Sequence, residues 1–312
     1  MATPIIELRG AVAVRQDVEI LRAASFALAE GRAAFFMGTA GSGKSMLLKI
    51  AAGLVVPSSG EVFFRGKPLS RMSRLENQEF RRVTGYVFQD AALWANQSLY
   101  DNLALPIRVH DSGASRAEVD RMVHRAAEIV GYSQELRARP AELSSGERRL
   151  IGLARALVLD PELLFMDEPA ANLDESAAER VTEIVGALKA RGRSLLVVTS
   201  ISKFAWKFAD EVGVLNDGAL IAYGPYADIA ARTEGSLRGI TGRLRPRQAA
   251  EAEAPAPGSG LLGAWAAALA EDPRAGQDFE RPRPRDEDGA TLGDIINAIP
   301  DEESDADRED GK

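Results

Sequence analysis

The chain has no cysteine, which excludes disulfide bridges and thiolate metal sites. Histidine is almost missing too: His110 and His124 are the only imidazoles, too few for a zinc site to be expected. The apolar run Leu261–Ala270 is too short to cross a bilayer, and Met1–Glu7 lacks the basic start and long apolar stretch of a signal peptide. These absences lead us to expect an intracellular protein that needs a partner for any membrane role. Excess positive charge is also lacking, and a net charge of -8 argues against nucleic acid as the main ligand. The charge is unevenly placed. Residues 249–312 carry 17 acidic and 6 basic residues, whereas residues 1–248 carry 29 acidic and 32 basic, so the acidity belongs to the tail.

What is present is enough apolar sequence, 46% of 312 residues, to build a substantial core. The short apolar runs Ala33–Gly38, Leu163–Met166 and Ser194–Thr199 alternate with amphipathic stretches, the pattern of an α/β domain with buried parallel strands. Between Arg116 and Val130 the apolar positions Val119, Met122, Val123, Ala126 and Val130 make a helical stripe. Asn216-Asp217-Gly218 between apolar runs reads as a hairpin turn. From Ala249 the composition becomes that of a linker, followed by a stretch rich in Arg, Asp, Glu and Pro that cannot bury enough apolar surface to fold alone. We therefore expect a globular α/β domain over residues 1–245 and a largely disordered acidic tail over 246–312. Its two apolar islands, near 261–270 and 291–299, read either as short docking helices or as transient helices within disorder.

Gly38 to Ser45, GTAGSGKS, matches the phosphate-loop pattern G-x-x-x-x-G-K-[ST], with an apolar strand before it and the helix-like run Met46–Gly53 after it. Backbone N–H groups of Gly38, Thr39, Ala40, Gly41, Ser42 and Gly43 can curl around phosphate oxygens, Lys44 can reach the β- and γ-phosphates, and Ser45 can bind Mg2+. Downstream, LLFMDEP (Leu163–Pro169) is an apolar strand ending in Asp167 and Glu168, where α/β sheets bind ligands. Asp167 suits the Mg2+ shell and Glu168 the general base that polarises an attacking water. Alone, such a pair is equally a solvated loop; the phosphate loop upstream decides between them. LSSGE (Leu143–Glu147) precedes a helix-like run to Pro161, and by itself is a capped helix start in which Ser144 caps or binds phosphate and Gly146 permits close approach.

The conjunction is what carries a resemblance. GTAGSGKS, then YVFQ (Tyr86–Gln89), LSSGE, LLFMDEP and ANLD (Ala171–Asp174), in this order and spacing, resemble the ATP-binding cassette of ABC transporters over about Ile5 to Ala231. The resemblance implies a P-loop NTPase fold: a RecA-like α/β core, a small antiparallel β subdomain and a helical subdomain at about 90–158. It implies ATP and Mg2+ as ligands, with Ser45, Gln89 and Asp167 at the metal and Glu168, Gln89 and Ser200 at the catalytic centre. Two cassettes would face head to tail, so that ATP on Gly38–Ser45 of one is closed over by Ser144 and Gly146 of the other, with Asp174 coupling the two sites. Membrane permease subunits would dock in a groove of the helical subdomain, at the cytoplasmic face of the inner membrane.

Two positions depart from the family pattern. A histidine normally follows the last core strand and contacts the γ-phosphate, but here Ser200 stands there, shorter and without charge. Near the N-terminus the usual adenine-stacking aromatic is replaced by Val12, Ala13, Val14 and Arg15, of which Arg15 can stack. Two readings follow: an attenuated ATPase relying on Glu168, or a cassette that binds ATP and switches without useful turnover. A dimer with a different second ATPase subunit would ease the loss at Ser200. The stretch Val87–His110 is similar both to ATPases of Mla-type lipid transport and to those paired with FtsX- or LolCE-like permeases in cell division and lipoprotein export. Its ALW and LYDN elements point to lipid transport, Glu147 to the other group. The tail islands would suit a segment that grips a second ATPase subunit or an accessory protein.

Overall fold

The computed structural model describes residues 3–111, 113–232, 237–241 and 244; the linker from Ala249 and both apolar islands lie outside the described residues. Among these residues the strands are β1 (Ile6–Arg15), β2 (Val18–Leu28), β3 (Ala33–Gly38), β4 (Ser59–Phe64), β5 (Lys67–Pro68), β6 (Thr84–Val87), β7 (Leu163–Asp167), β8 (Ser194–Val198), β9 (Glu211–Asn216) and β10 (Ala219–Pro225). They form one sheet in the order β5-β4-β1-β2-β10-β9-β3-β8-β7-β6. The half from β9 to β6 is parallel, with Phe36 opposite Gly213, Phe35 opposite Val197, Leu164 opposite Leu195 and Tyr86 opposite Phe165. The half built from β1, β2, β4 and β5 is antiparallel.

The helices are α1 (Lys44–Ala51), α2 (Arg74–Val83), α3 (Leu99–His110), α4 (Arg116–Ile129), α5 (Ser145–Leu157), α6 (Glu175–Ala190), α7 (Ser202–Phe208) and α8 (Tyr226–Ala231). Because side chains alternate across a strand, the apolar runs feed two cores. Phe35, Met37, Leu164, Met166, Leu195 and Val197 meet the buried faces of α3 to α7, while Ala34, Phe36, Leu163, Phe165, Leu196 and Val198 meet α1, β1 and β2. This explains why β3, β7 and β8 read as unbroken apolar runs: both faces are covered. Helices α3, α4 and α5 pack on one another. α4 buries Val119, Val123 and Ala126 as its stripe predicts, with Met122 half-buried at the margin.

Several boundaries differ from the sequence expectation. The helix after the phosphate loop begins at Lys44, not Met46, because Gly43 at φ 93° already completes the turn into it. The helix expected to run to Pro161 begins at Ser145 and stops at Leu157, leaving a turn before β7. The Asn216–Gly218 hairpin joins β9 and β10, with Asp217 and Gly218 both left-handed as a two-residue turn of this hand requires. No helix of the described residues is long and apolar enough to cross a membrane. Parallel strands β3, β7 and β8 end at Gly38, Asp167 and Val198, so residues 38–45, Glu168 and Ser200 emerge along one edge of the sheet.

Candidate functional site

The phosphate loop is packed tightly enough that side chains are excluded from parts of it. A Cβ on Gly38 would lie 2.3 Å from the Leu215 carbonyl oxygen, and one on Gly43 would lie 2.5 Å from that of Ile20. Lys44, only 8% exposed, turns back to donate to the carbonyls of Gly38 (3.0 Å) and Thr39 (2.8 Å). Burial holds its ammonium below the usual lysine range, against the opposing pull of the Glu168 and Asp167 carboxylates. The buried Ser42 Oγ has no hydrogen-bond partner among the described residues.

The two acids after β7 diverge. Asp167, 4% exposed, accepts from Ser45 Oγ at 2.9 Å, and burial pushes its carboxyl above the usual range despite that bond and the nearby Lys49 and Lys44. Glu168 sits at φ 46°, a left-handed conformation uncommon for a residue with a long side chain. Its N–H donates to the Val198 carbonyl (2.9 Å), and its own carbonyl accepts from Ala171 N–H (3.1 Å). The turn aims its carboxylate at Ser200, whose backbone N–H and Oγ both donate to Oε2, at 2.9 and 3.2 Å. Ser200, expected at the γ-phosphate, is thus in contact with the candidate base. Gln89 is exposed two residues beyond β6, the strand beside β7.

Ser144, Gly146 and Asp174 form a second cluster. Ser144 caps α5 reciprocally with Glu147: Ser144 Oγ accepts from Glu147 N–H (3.2 Å) and Glu147 Oε2 accepts from Ser144 N–H (2.9 Å). Hydrogen bonds from the Ser144 hydroxyl and N–H, and from Gln134, hold the Glu147 carboxyl below its usual range. Asp174 caps α6 through Ala177 N–H (2.8 Å), and its Oδ2 lies 3.4 Å from where a Cβ on Gly146 would be. Arg149 of α5 donates to the Ala171 carbonyl, tying the helix to the loop that leads to Asp174. The groove these residues line includes no residue of 38–45. Sequence reasoning missed Gly152 and Arg155 of α5, which press on the backbone after Gln89. A signal existed: an arginine within the apolar stretch Ile151–Val158 needs a partner when that helix is buried.

A family model described as ABC transporter matches residues 21–171. The cell division ATP-binding protein FtsE of Escherichia coli is 33% identical over 202 residues, 65% of this chain and 90% of that protein. The chain belongs to the ABC transporter family. The methionine import ATP-binding protein MetN of Rhizobium meliloti is 31% identical over 242 residues, 76% of this chain and 67% of that protein. The molybdate/tungstate import ATP-binding protein WtpC of Thermococcus kodakarensis is 34% identical over 213 residues; the match spans 68% of this chain and 62% of WtpC. Among solved structures, the ATP-binding cassette MJ0796, a dimer in a post-hydrolysis state bound to ADP and Pi, superposes with a TM-score of 0.66 at 24% identity, covering 70% of this chain and 98% of that one. At that identity the likeness shows the fold: an α/β ABC cassette, as the motifs imply.

Proposed function

We propose that this cassette binds Mg-ATP, hydrolyses it as a head-to-tail dimer, and powers membrane permease subunits at the cytoplasmic face of the inner membrane. The observation that carries this reading is the meeting of Lys44 and Ser45 from the phosphate loop with Asp167 and Glu168 from β7, pinned by the Ser45–Asp167 hydrogen bond at 2.9 Å. The site fits its ligands. The orphaned Ser42 Oγ and the Lys44 ammonium, which now rests on weak carbonyl partners, are donors suited to phosphate oxygens. Ser45 Oγ, Asp167 and Gln89 offer the hard oxygen donors Mg2+ takes. When bound, Mg2+ would neutralise charge on the β- and γ-phosphates. Glu168 takes the proton of the attacking water through Oε1, which accepts no hydrogen bond among the described residues. Ser144 and Gly146 serve the partner's nucleotide, Asp174 couples the two sites, and exposed Arg15 beside Val18 on the β1–β2 hairpin supplies a platform for adenine. Residues 1–245 form this ATPase domain, with 90–158 as its helical subdomain. Glu168→Gln is expected to lower turnover at least about a hundredfold, the usual effect of losing a general base, while ATP still binds; full turnover in that variant overturns the reading.

For the transport system, similarity of Val87–His110 to Mla-type ATPases supports lipid transport, with a second ATPase subunit and an accessory protein gripping the tail. The extent of the FtsE match, 90% of that protein, favours the FtsX- or LolCE-like alternative. Ser200 in place of histidine favours a third reading, an ATP sensor with little turnover. Gentle purification of the tagged chain in ATP separates them: an MCE-domain permease supports lipid transport, an FtsX-like permease the alternative, and only soluble partners the sensor.

A further inference from the structure

The backbone that follows Gln89 is held in an unusual shape. Ala91 and Ala92 are both left-handed, at φ 64° and 46°, a region that a residue with a Cβ rarely enters and that two such residues in succession enter only when something holds them. Ala91 is buried, and its N–H closes a turn on the Phe88 carbonyl at 3.1 Å. What holds them comes from α5. The two terminal nitrogens of Arg155 donate separately, Nη2 to the Ala91 carbonyl (2.8 Å) and Nη1 to the Ala92 carbonyl (2.7 Å), a two-pronged grip that a lysine cannot reproduce. One turn earlier on the same face, Gly152 lets the backbone come so close that an added Cβ would lie 2.9 Å from Ala91 Cβ and 3.1 Å from Ala91 Cα.

The same helix begins at Ser144 and Gly146, about 14 Å from Arg155 along its axis. We infer that Gly152 and Arg155 are positioning residues that latch the Gln89 loop onto α5, so that Gln89 of one ATP site and the Ser144–Gly146 start that closes the other site move as one body. This rests on the roles proposed above for Gln89, Ser144 and Gly146. A rigid helix gripping the loop converts a shift of Gln89 into a displacement of its own N-terminus, without any change inside the helix.

The test uses the full chain with its permease partners. Arg155→Met keeps the alkyl stem and removes both hydrogen bonds; Arg155→Lys keeps the charge and loses the fork. Arg155→Met is expected to lower kcat about tenfold with KM for ATP within about twofold, and Arg155→Lys to fall between it and the unaltered protein. Leu153→Ala, at a buried α5 position between the two latch residues, serves as the stability control: it lowers the melting temperature but leaves kcat below that temperature within about twofold. Amide hydrogen exchange over residues 88–94 is read in parallel, and is expected to speed up about tenfold or more in both arginine variants. If kcat and exchange stay within twofold in the arginine variants, or if Leu153→Ala loses kcat in the same proportion, the latch is overturned. Should Arg155→Met fail to fold, Arg155→Lys and the exchange measurement still decide. Should Glu168→Gln retain turnover, the catalytic reading fails on its own, and the exchange result still judges the latch.

Discussion

Replacing Ser200 with alanine isolates one hydrogen bond at the candidate base. Among the described residues the Glu168 carboxylate is anchored at one oxygen only: Oε2 accepts from the Ser200 N–H at 2.9 Å and from its Oγ at 3.2 Å. The backbone donor survives the substitution, so only the longer bond is lost. A hydrogen bond to a charged acceptor contributes about 1.5–3 kcal/mol, and at this length and exposure the lower end, about 1 to 1.5 kcal/mol, applies. If that bond holds Oε1 where a water can reach it, the whole amount falls on the transition state, and kcat drops about five- to tenfold with KM for ATP unchanged. Ser200→Thr keeps the hydroxyl and restores most of the rate. Ser200→His keeps the backbone donor and adds a group able to carry charge toward the γ-phosphate, so turnover of the assembled complex is expected to rise. Steady-state turnover against ATP concentration reads all three. A raised KM with kcat preserved in Ser200→Ala would place the hydroxyl on the phosphate rather than on the base and refute the reasoning; unchanged or lower turnover in Ser200→His would refute the claim that Ser200 limits the rate.

Asp167→Asn tests the cost of burying the Asp167 carboxylate. Burial raises the Asp167 pKa in the folded protein, so its contribution to stability is full below the ordinary aspartate range and is lost as pH rises through the raised value. At a pH above that value the ionised carboxylate is a burden, and the amide is expected to raise the melting temperature measured without added nucleotide, while abolishing the further rise given by Mg2+ with ATP. A lower melting temperature at that pH would contradict it. Gly213→Ala places a Cβ 2.3 Å from Phe36 Cδ1, in a ring stacked on Tyr223 at 5.7 Å and close to Phe26, so the ring has nowhere to go. Overpacking of this kind costs about 2–3 kcal/mol, and calorimetry should show a melting temperature lower by about 5–10 °C. In a dimer of two copies, one chain carrying Glu168→Gln and the other Ser144→Ala confines both lesions to one composite site. That mixed dimer is expected to keep more turnover than one pairing a doubly substituted chain with an unaltered chain; more turnover in the second dimer would mean that Ser144 serves its own chain's nucleotide, and equal turnover that Ser144 and Glu168 do not share a composite site.

The parallel strands were legible because Ala33–Gly38, Leu163–Met166 and the Leu195–Val198 centre of Ser194–Thr199 carry no alternating polar positions, a pattern that burial on both faces produces. The phosphate loop, the paired acids and the LSSGE cap were legible because each is local: the residues that interact are neighbours in sequence. What stayed hidden depends on distance or on backbone shape. Glu168 and Ser200 are 32 positions apart and meet only because β7 and β8 pair with Asp167 opposite Val198. The left-handed turn at Ala91 and Ala92 leaves no mark in composition, since glycine or asparagine would be the residue expected there. Helix α5 runs shorter than its apolar pattern, because the chain must turn between Leu157 and Pro161 to enter β7.

The groups suited to phosphate and metal rest on internal partners that a ligand can replace. Lys44 lies on two carbonyls of its own loop and Ser45 on Asp167. These partners keep buried polar atoms paired without matching them well: Lys44 is pulled down and Asp167 pushed up, both chiefly by burial, so each charge is held where water no longer solvates it. A phosphate for Lys44 and a divalent cation for Asp167 remove both penalties in one event, and the Ser45 hydroxyl exchanges one oxygen partner for another at little cost. The Glu168 anchor differs, because nothing in nucleotide binding requires the Ser200 bonds to break. Binding therefore reorganises the phosphate and metal groups while the base stays fixed, which separates affinity, governed by Lys44, Ser45 and Asp167, from turnover, governed by Glu168 and Ser200.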